Sequence, residues 1–377
     1  MHDVVIVGGG PVGLYLAALL LQKGLDVRVL EQRTVRSGHS RAIGIHPPAL
    51  AALEAVDAAE PLLREGVRIC EGLARSGGST VAGLSFARTS ATHPYVLSVP
   101  QLRTESILAR RVYELDPSAL RYGERVLDVH DDGDRVRLCA NVDGSRREYT
   151  ARLVVAADGA RSTVRDRLGI DATLRNYPDT YLMGDFRDTT SDGPTAVLYL
   201  EPGGIVESFP LPGGVRRWVV HTDALLADPS AELLAALIRR RTKVEVPPES
   251  NTMLSAFSVR ARLARRLVTG RVALIGDAGH EISPIGGQGM SLGWLDAAAL
   301  APILTAAVGG HPTAEALRHF DLSRRRAALI AVRQAHLNMV LGRPLAGPVL
   351  AARNRMAGLA LGSAHLQDLV ARRFTMQ

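Results

Sequence analysis

The first 31 residues constrain this chain more than any other stretch. A run rich in β-branched residues, Asp3 to Val7, leads directly into Gly8, Gly10 and Gly13; an apolar stretch from Pro11 to Lys23 follows, and a second apolar run, Asp26 to Leu30, ends at Glu31. Short, unbroken apolar runs predict strands covered on both faces, as in parallel sheets. The stretch between them opens with proline and stops at Gly24, as a helix does. The whole is a βαβ unit.

Its glycines have the G-x-G-x-x-G spacing. Gly8 is expected to make the tight turn, Gly10 to let the main chain approach a pyrophosphate, and Gly13 to let the helix lie close to the strand. Pro11 and Val12 then open a helix whose positive end favours phosphate. Glu31, eighteen residues beyond Gly13, is placed to accept hydrogen bonds from an adenosine ribose, with Gln32 and Arg33 beside it. The unit predicts dinucleotide binding but does not separate FAD from NAD.

Composition removes other chemistries. Of 45 basic residues only Lys23 and Lys243 are lysine, and neither sits in a Gly-Lys-Ser/Thr loop, so a P-loop is excluded; both lie in polar surroundings, against a Schiff-base role. The net charge of +7 is scattered and matched by acids, without the aromatic-studded basic stripe that grips nucleic acid. Cys70 and Cys139 are too few and too far apart for a disulfide framework or a thiolate metal site. No basic leader precedes the first strand, and no stretch of about 18 uncharged apolar residues is found. A cytoplasmic, globular chain of two or three domains without an integral membrane segment or metal is expected, its peripheral membrane contact left open.

Two remote stretches complete the pattern. Leu153 to Ala157 reads as a buried strand running into Asp158-Gly159-Ala160-Arg161-Ser162, and Arg271 to Ile275 as another, ending in Gly276-Asp277-Ala278-Gly279-His280 and then Pro284-Ile285-Gly286-Gly287-Gln288-Gly289-Met290-Ser291. With the N-terminal fingerprint, these resemble the single-component FAD-dependent aromatic hydroxylases, typified by para-hydroxybenzoate hydroxylase. Ser40-Arg41-Ala42 is similar to that family's arginine loop near the pyrophosphate, and Pro100-Gln101-Leu102-Arg103-Thr104-Glu105 to its cofactor-contacting helix start. The resemblance spans residues 1 to about 310. It implies FAD contacts at Arg41, Gln101, Asp158, Gly276, Asp277, Pro284, Gly287, Gly289 and Met290. Three positions depart from the pattern: Ser291 stands for asparagine, Gly279 for the second alanine of Gly-Asp-Ala-Ala-His, and Pro48 for an arginine.

The Gly-Asp stretch also reads on its own. Asp277, at a strand end, can accept bonds from ribityl hydroxyls, and the glycines from Gly286 to Gly289 let main chain pass against a flat ring. Leu292, Leu295, Ala298, Ala299 and Ile303 recur at helical spacing, so a buried helix starts near Ser291, its N-terminus favouring the negative charge of reduced flavin. Gly289-Met290-Ser291-Leu292-Gly293 satisfies G-x-S-x-G, but lacks the strand immediately before it that a serine hydrolase needs. His280-Glu281 starts an H-E-x-x-H whose last position is Pro284, which removes the second zinc ligand.

Between Thr195 and His221, short strands are split by Glu201-Pro202-Gly203-Gly204 and Leu211-Pro212-Gly213-Gly214, which read as hairpins. Phe209, Leu211, Trp218 and Val220 are pocket or core candidates that two-fold alternation does not separate. Ala314 to about Val340 is helical, shorter helices follow to Arg373, and no room for an extra C-terminal domain is expected. Arg260, Arg262, Arg265 and Arg266 read as a solvated face, with docking of an anionic nicotinamide cofactor as the alternative.

The expected fold is α/β: a Rossmann-like FAD-binding domain (1–70, 98–170 and 258–310) interrupted by a mostly antiparallel β substrate domain (71–97 and 171–257), with a helical C-terminal region (311–377). No second dinucleotide fingerprint follows Glu31, so the resemblance implies NADPH or NADH as a transient co-substrate. It further implies O2 activation through a flavin C4a-hydroperoxide, transfer of one oxygen to a phenolic or polyketide-like substrate, and a monomer or homodimer. The alternative is a flavin-dependent reductase or oxidase acting on a prenyl or quinone-type substrate. A general base would help; His46, His93, His221 and His280 are its candidates.

Overall fold

His2–Val7 forms a strand, Pro11–Leu21 a helix and Val27–Glu31 a second strand in the computed structural model, which describes residues 1–35 and 42–377, Ala360 without its side chain. The helix ends two residues before Lys23 because the chain already turns there, toward Gly24 at φ +77°.

These elements are the middle of an eight-stranded sheet. Its main path runs Val268–Thr269, Val272–Leu274, Ser145–Ala156, His2–Val7, Val27–Glu31, Leu120–Tyr122, and a hairpin, Glu124–Asp131 with Val136–Val142, pairs with the early part of Ser145–Ala156. Four of the strands are parallel neighbours in a common register: Leu274 lies opposite Ala156, Ala156 opposite Val7, and Val7 opposite Leu30. Three glycine- or aspartate-bearing segments far apart in sequence therefore leave the sheet at one edge. In such sheets ligands bind outside the carboxyl ends of the strands.

A second eight-stranded sheet runs His280–Glu281, Met253–Ala264, Ala172–Arg187, Val215–Thr222, Val206–Leu211, Ala196–Tyr199, Glu71–Ser76, Ser79–Ser85. It is antiparallel except between Ala196–Tyr199 and Glu71–Ser76. Met253–Ala264 pairs along nearly all of Ala172–Arg187, so the boundary expected at 258 falls inside a strand. The alternation carries on unbroken through that point, and nothing local marks a stop. Helices Ala314–Gly342, Gly347–Leu361 and Ala364–Phe374 follow.

Gly289–Val308 packs against the first helix, with the Trp294 indole donating to the Pro11 carbonyl at 3.0 Å. By length and composition alone it could cross a membrane, but half of its most apolar window is buried in the protein. It also carries a charge at its centre. Asp296, fully buried, accepts from His280 at 2.5 Å, Arg324 at 2.7 Å and the Gly276 amide at 3.0 Å. Burial opposes both charges, yet each outweighs that for the other: His280 is held above its ordinary pKa and Asp296 below. Removing one partner of a buried pair leaves the other uncompensated and costs about 3–5 kcal/mol. Asp296→Ala is expected to lower unfolding stability by about that amount; a denaturant midpoint within error of wild type would contradict this.

Candidate active site

The three segments at the sheet edge meet in one cavity of about 1310 Å³ that continues between the two sheets. Its glycines are there for contact. Gly8, at φ +109°, has no room for a Cβ because the Ala157 carbonyl occupies that space, and a Cβ on Gly13 would collide with the Gly8 carbonyl. Gly10 is the opposite case, with nothing within 4 Å of its Cβ position; that open side faces the cavity. Gly8, Gly10, Pro11 and Val12 line it, and Gly13 lies behind them. The amides at the start of Pro11–Leu21 have no helical partners and present positive charge here.

Glu31, buried at the end of its strand, accepts from the Gly9 amide at 2.7 Å, the Arg33 amide at 2.8 Å and the Arg33 guanidinium at 2.9 Å. Its carboxylate is thus partly committed to holding the glycine turn, beyond the ribose role its spacing suggested. Arg33 reaches Glu105 at 3.5 Å, and Gln101 donates to Glu105 at 2.8 Å. Burial lowers the Arg33 pKa, but Glu31 and Glu105 more than reverse this. Gln32, Gln101 and Glu105 line this end of the cavity together with Arg125. Glu105 entered above only as the end of the helix-start motif, and Arg125 not at all. The i,i+4 spacing of Gln101 and Glu105 was the available signal, and Arg125 had none. Arg41 lies outside the described residues.

Deeper in, Asp158 accepts from the Val164 amide at 3.2 Å through one oxygen, while its other oxygen is buried without a partner. Burial raises its pKa. Asp277 opens onto the cavity although protein surrounds it, and burial pushes its pKa up to about 6. Gly276, Pro284, Gly287, Gly289 and Met290 line the cavity around it. Two of the three departures from the family pattern make local contacts: a Cβ on Gly279 would meet Leu267 Cδ2 at 2.5 Å, and Ser291 accepts from the His46 amide at 3.3 Å. Gly293 is needed because its Cβ would strike Val12 at 2.5 Å, so the G-x-S-x-G pattern here serves helix packing.

The second sheet closes the far side. Its register sets cavity-facing rows, Leu198–Glu207–Val219–Met183 and Phe209–Arg217. Of the earlier pocket candidates only Phe209 faces in. Trp218 and Val220 pack in the core on the opposite face, and Leu211 lies off the cavity. Arg217 is tied to Asp185 by two bonds of 2.7 Å. Asn338, Leu341, Arg353 and Phe374 cover the cavity from the C-terminal helices. Arg260 reaches the cavity, Arg262 donates to the Ala160 carbonyl at 2.6 Å, and Arg265 and Arg266 are exposed.

Among the four histidines only His46 lines the cavity. His93 is held by Tyr95 and Glu54, His221 stands 3.6 Å from Asp179, and His280 belongs to the buried Asp296 network. The His46 ring faces the backbone of Gly286 and Gly287 with neither nitrogen hydrogen-bonded, and burial pushes its pKa down to about 4.

Residues 1–335 match the family model described as FAD binding domain. The chain belongs to this family of FAD-dependent aromatic hydroxylases. It is 32% identical over 352 residues to the 6-methylpretetramide 4-monooxygenase of Streptomyces rimosus, covering 88% of this chain and 63% of that protein. It is 34% identical over 320 residues to the rifampicin monooxygenase of Streptomyces venezuelae, covering 82% and 65%. The chain thus spans just under two thirds of the length of these two relatives. The p-nitrophenol 4-monooxygenase of Pseudomonas putida superposes with a TM-score of 0.91 at 25% identity, over 100% of this chain and 98% of that one.

His46 should stay neutral above about pH 5, since its pKa lies near 4. Histidine NMR titration checks this, and a His46 midpoint above 6 would contradict the buried environment.

Proposed function

We propose that this hydroxylase-family chain binds FAD along the cavity from Glu31 to Asp277 and acts as an NAD(P)H-dependent monooxygenase that hydroxylates a phenolic or polyketide-like ring. The observation that carries this is continuity: Glu31, the glycine turn, Asp158, Asp277 and the apolar second-sheet wall line a single cavity.

The residues present fit that cofactor. The open side of Gly10 and the free amides of the first helix suit a pyrophosphate. The unpartnered oxygen of Asp158 is an acceptor awaiting a donor, and Asp277, at the cavity surface, suits ribityl hydroxyls. Gly287 and Gly289 leave the main chain beside it unshielded, so a flat ring can lie against it. The N-terminus of Gly289–Val308 places partial positive charge at that point. When bound, FAD takes a hydride from NAD(P)H and activates dioxygen for transfer of one oxygen atom. The chain's part is to hold the ring, keep water out with the apolar wall, and orient the substrate between Val219, Phe209 and the C-terminal helices.

Purified protein should show flavin absorbance, restored by added FAD if lost. NADPH or NADH oxidation should then be stimulated by members of a phenolic and polycyclic panel, with one atom of labelled dioxygen in the product. A protein that takes up no FAD would overturn the reading. Asp277→Ala, removing hydrogen bonds to a charged acceptor worth about 1.5–3 kcal/mol, should weaken FAD binding about 10- to 100-fold; flavin fluorescence titration measures it.

A further inference from the structure

Glu207 is a buried carboxyl on the cavity wall with an apolar neighbour on each side, Leu198 across one strand and Val219 across the other. Among the described residues its side chain makes no hydrogen bond and no ion pair, unlike Asp185 in the same sheet, which Arg217 holds in a two-point pair. A buried carboxyl left so is costly, and strand alternation could have placed a hydrophobic residue there. The residue lines the cavity on the second-sheet side.

We propose that the Glu207 carboxylate is the general base that takes the proton from the ring hydroxyl of the bound substrate. The inference rests on the monooxygenase reading above. The substrate O–H bond breaks, its electron pair stays on the ring oxygen, and the proton moves to a Glu207 carboxylate oxygen, with no change of oxidation state. The added electron density activates the ring carbon for oxygen transfer. The proton returns to that oxygen at the end of turnover.

The surrounding groups leave this task to Glu207. Tyr181, two strands away, has a buried, unpartnered hydroxyl that burial, and then the charges of Glu207 and Asp179, hold protonated. Asp179 is occupied by Arg343 at 2.8 Å and by His221, and His221 does not line the cavity. Arg217 is balanced by Asp185; from the helical cover Arg353 faces the cavity while bonded to Asn354 and the Leu341 carbonyl, and Arg260 stands on Met253–Ala264. His46 stands beside Gly287 and against the Phe374 ring, and burial pushes its pKa down to about 4, too weak a base for a phenol's proton. Burial pushes the Glu207 pKa up to about 7, which suits a base working near neutrality.

The test uses FAD-loaded wild type, Glu207→Gln and Glu207→Asp with the best phenol from the panel. A base must be ionised to act, so wild-type kcat should rise with pH through about 7. Glu207→Gln should lose about 10²- to 10⁴-fold in kcat, with less change in KM, and lose that rising limb. Glu207→Asp should keep the limb at reduced kcat. With a phenol already ionised at the assay pH, Glu207→Gln should recover most of the lost rate. A Gln variant that keeps the limb, or that loses as much with the ionised phenol, overturns the proposal. Should that variant not fold, a wild-type kcat flat across this range overturns it equally. Wild type that binds FAD but shows no phenol-stimulated oxidation overturns the monooxygenase reading as well, which separates the two failures.

Discussion

Parallel strand pairing places Val7, Ala156 and Leu274 side by side, and the site follows from that register. Each of these residues is the last or nearly the last of its strand, and each is followed within four residues by a glycine or an acid that faces the cavity. A slip in one ladder would carry Asp158 or Asp277 away from the turn at Gly8, because side chains alternate between faces residue by residue. Backbone hydrogen bonds in a buried core, where unpaired groups are costly, thus set the position of side chains far apart in sequence.

The same edge is braced from behind. Asp296 ties the Gly276 amide to His280 and Arg324, so the turn bearing Asp277 is held by a charge on the helix beneath it. Gly293 and Gly13 let that helix and the first one approach the turns without an intervening methyl. At the far wall the Glu207 carboxyl has no such brace among the described residues.

The nucleotide half was legible because its requirements are local and chemical. A tight turn asks for glycine, a strand end for an acid, and spacing alone fixes Gly8, Gly10, Gly13 and Glu31. The substrate half was not, because its facing depends on pairing between strands. Trp218 and Val220 looked as eligible as their neighbours, yet the partnership of Val219 with Met183 and Glu207 turns Arg217 and Val219 inward and the other two away. Glu207 carried no motif, and histidines drew attention through their intrinsic pKa although burial, which acts on any acid, sets the values here. The extent of Met253–Ala264 beyond the expected boundary has a related cause: a strand continues while partners last.

Gly279 and Leu267 share a single space in the core, since a methyl on one would press on the other's Cδ2 at 2.5 Å. The two positions therefore form one volume divided unequally. A homologue with alanine at the first is expected to carry a shorter side chain at the second, so substitutions here should travel in pairs and be non-additive when made singly.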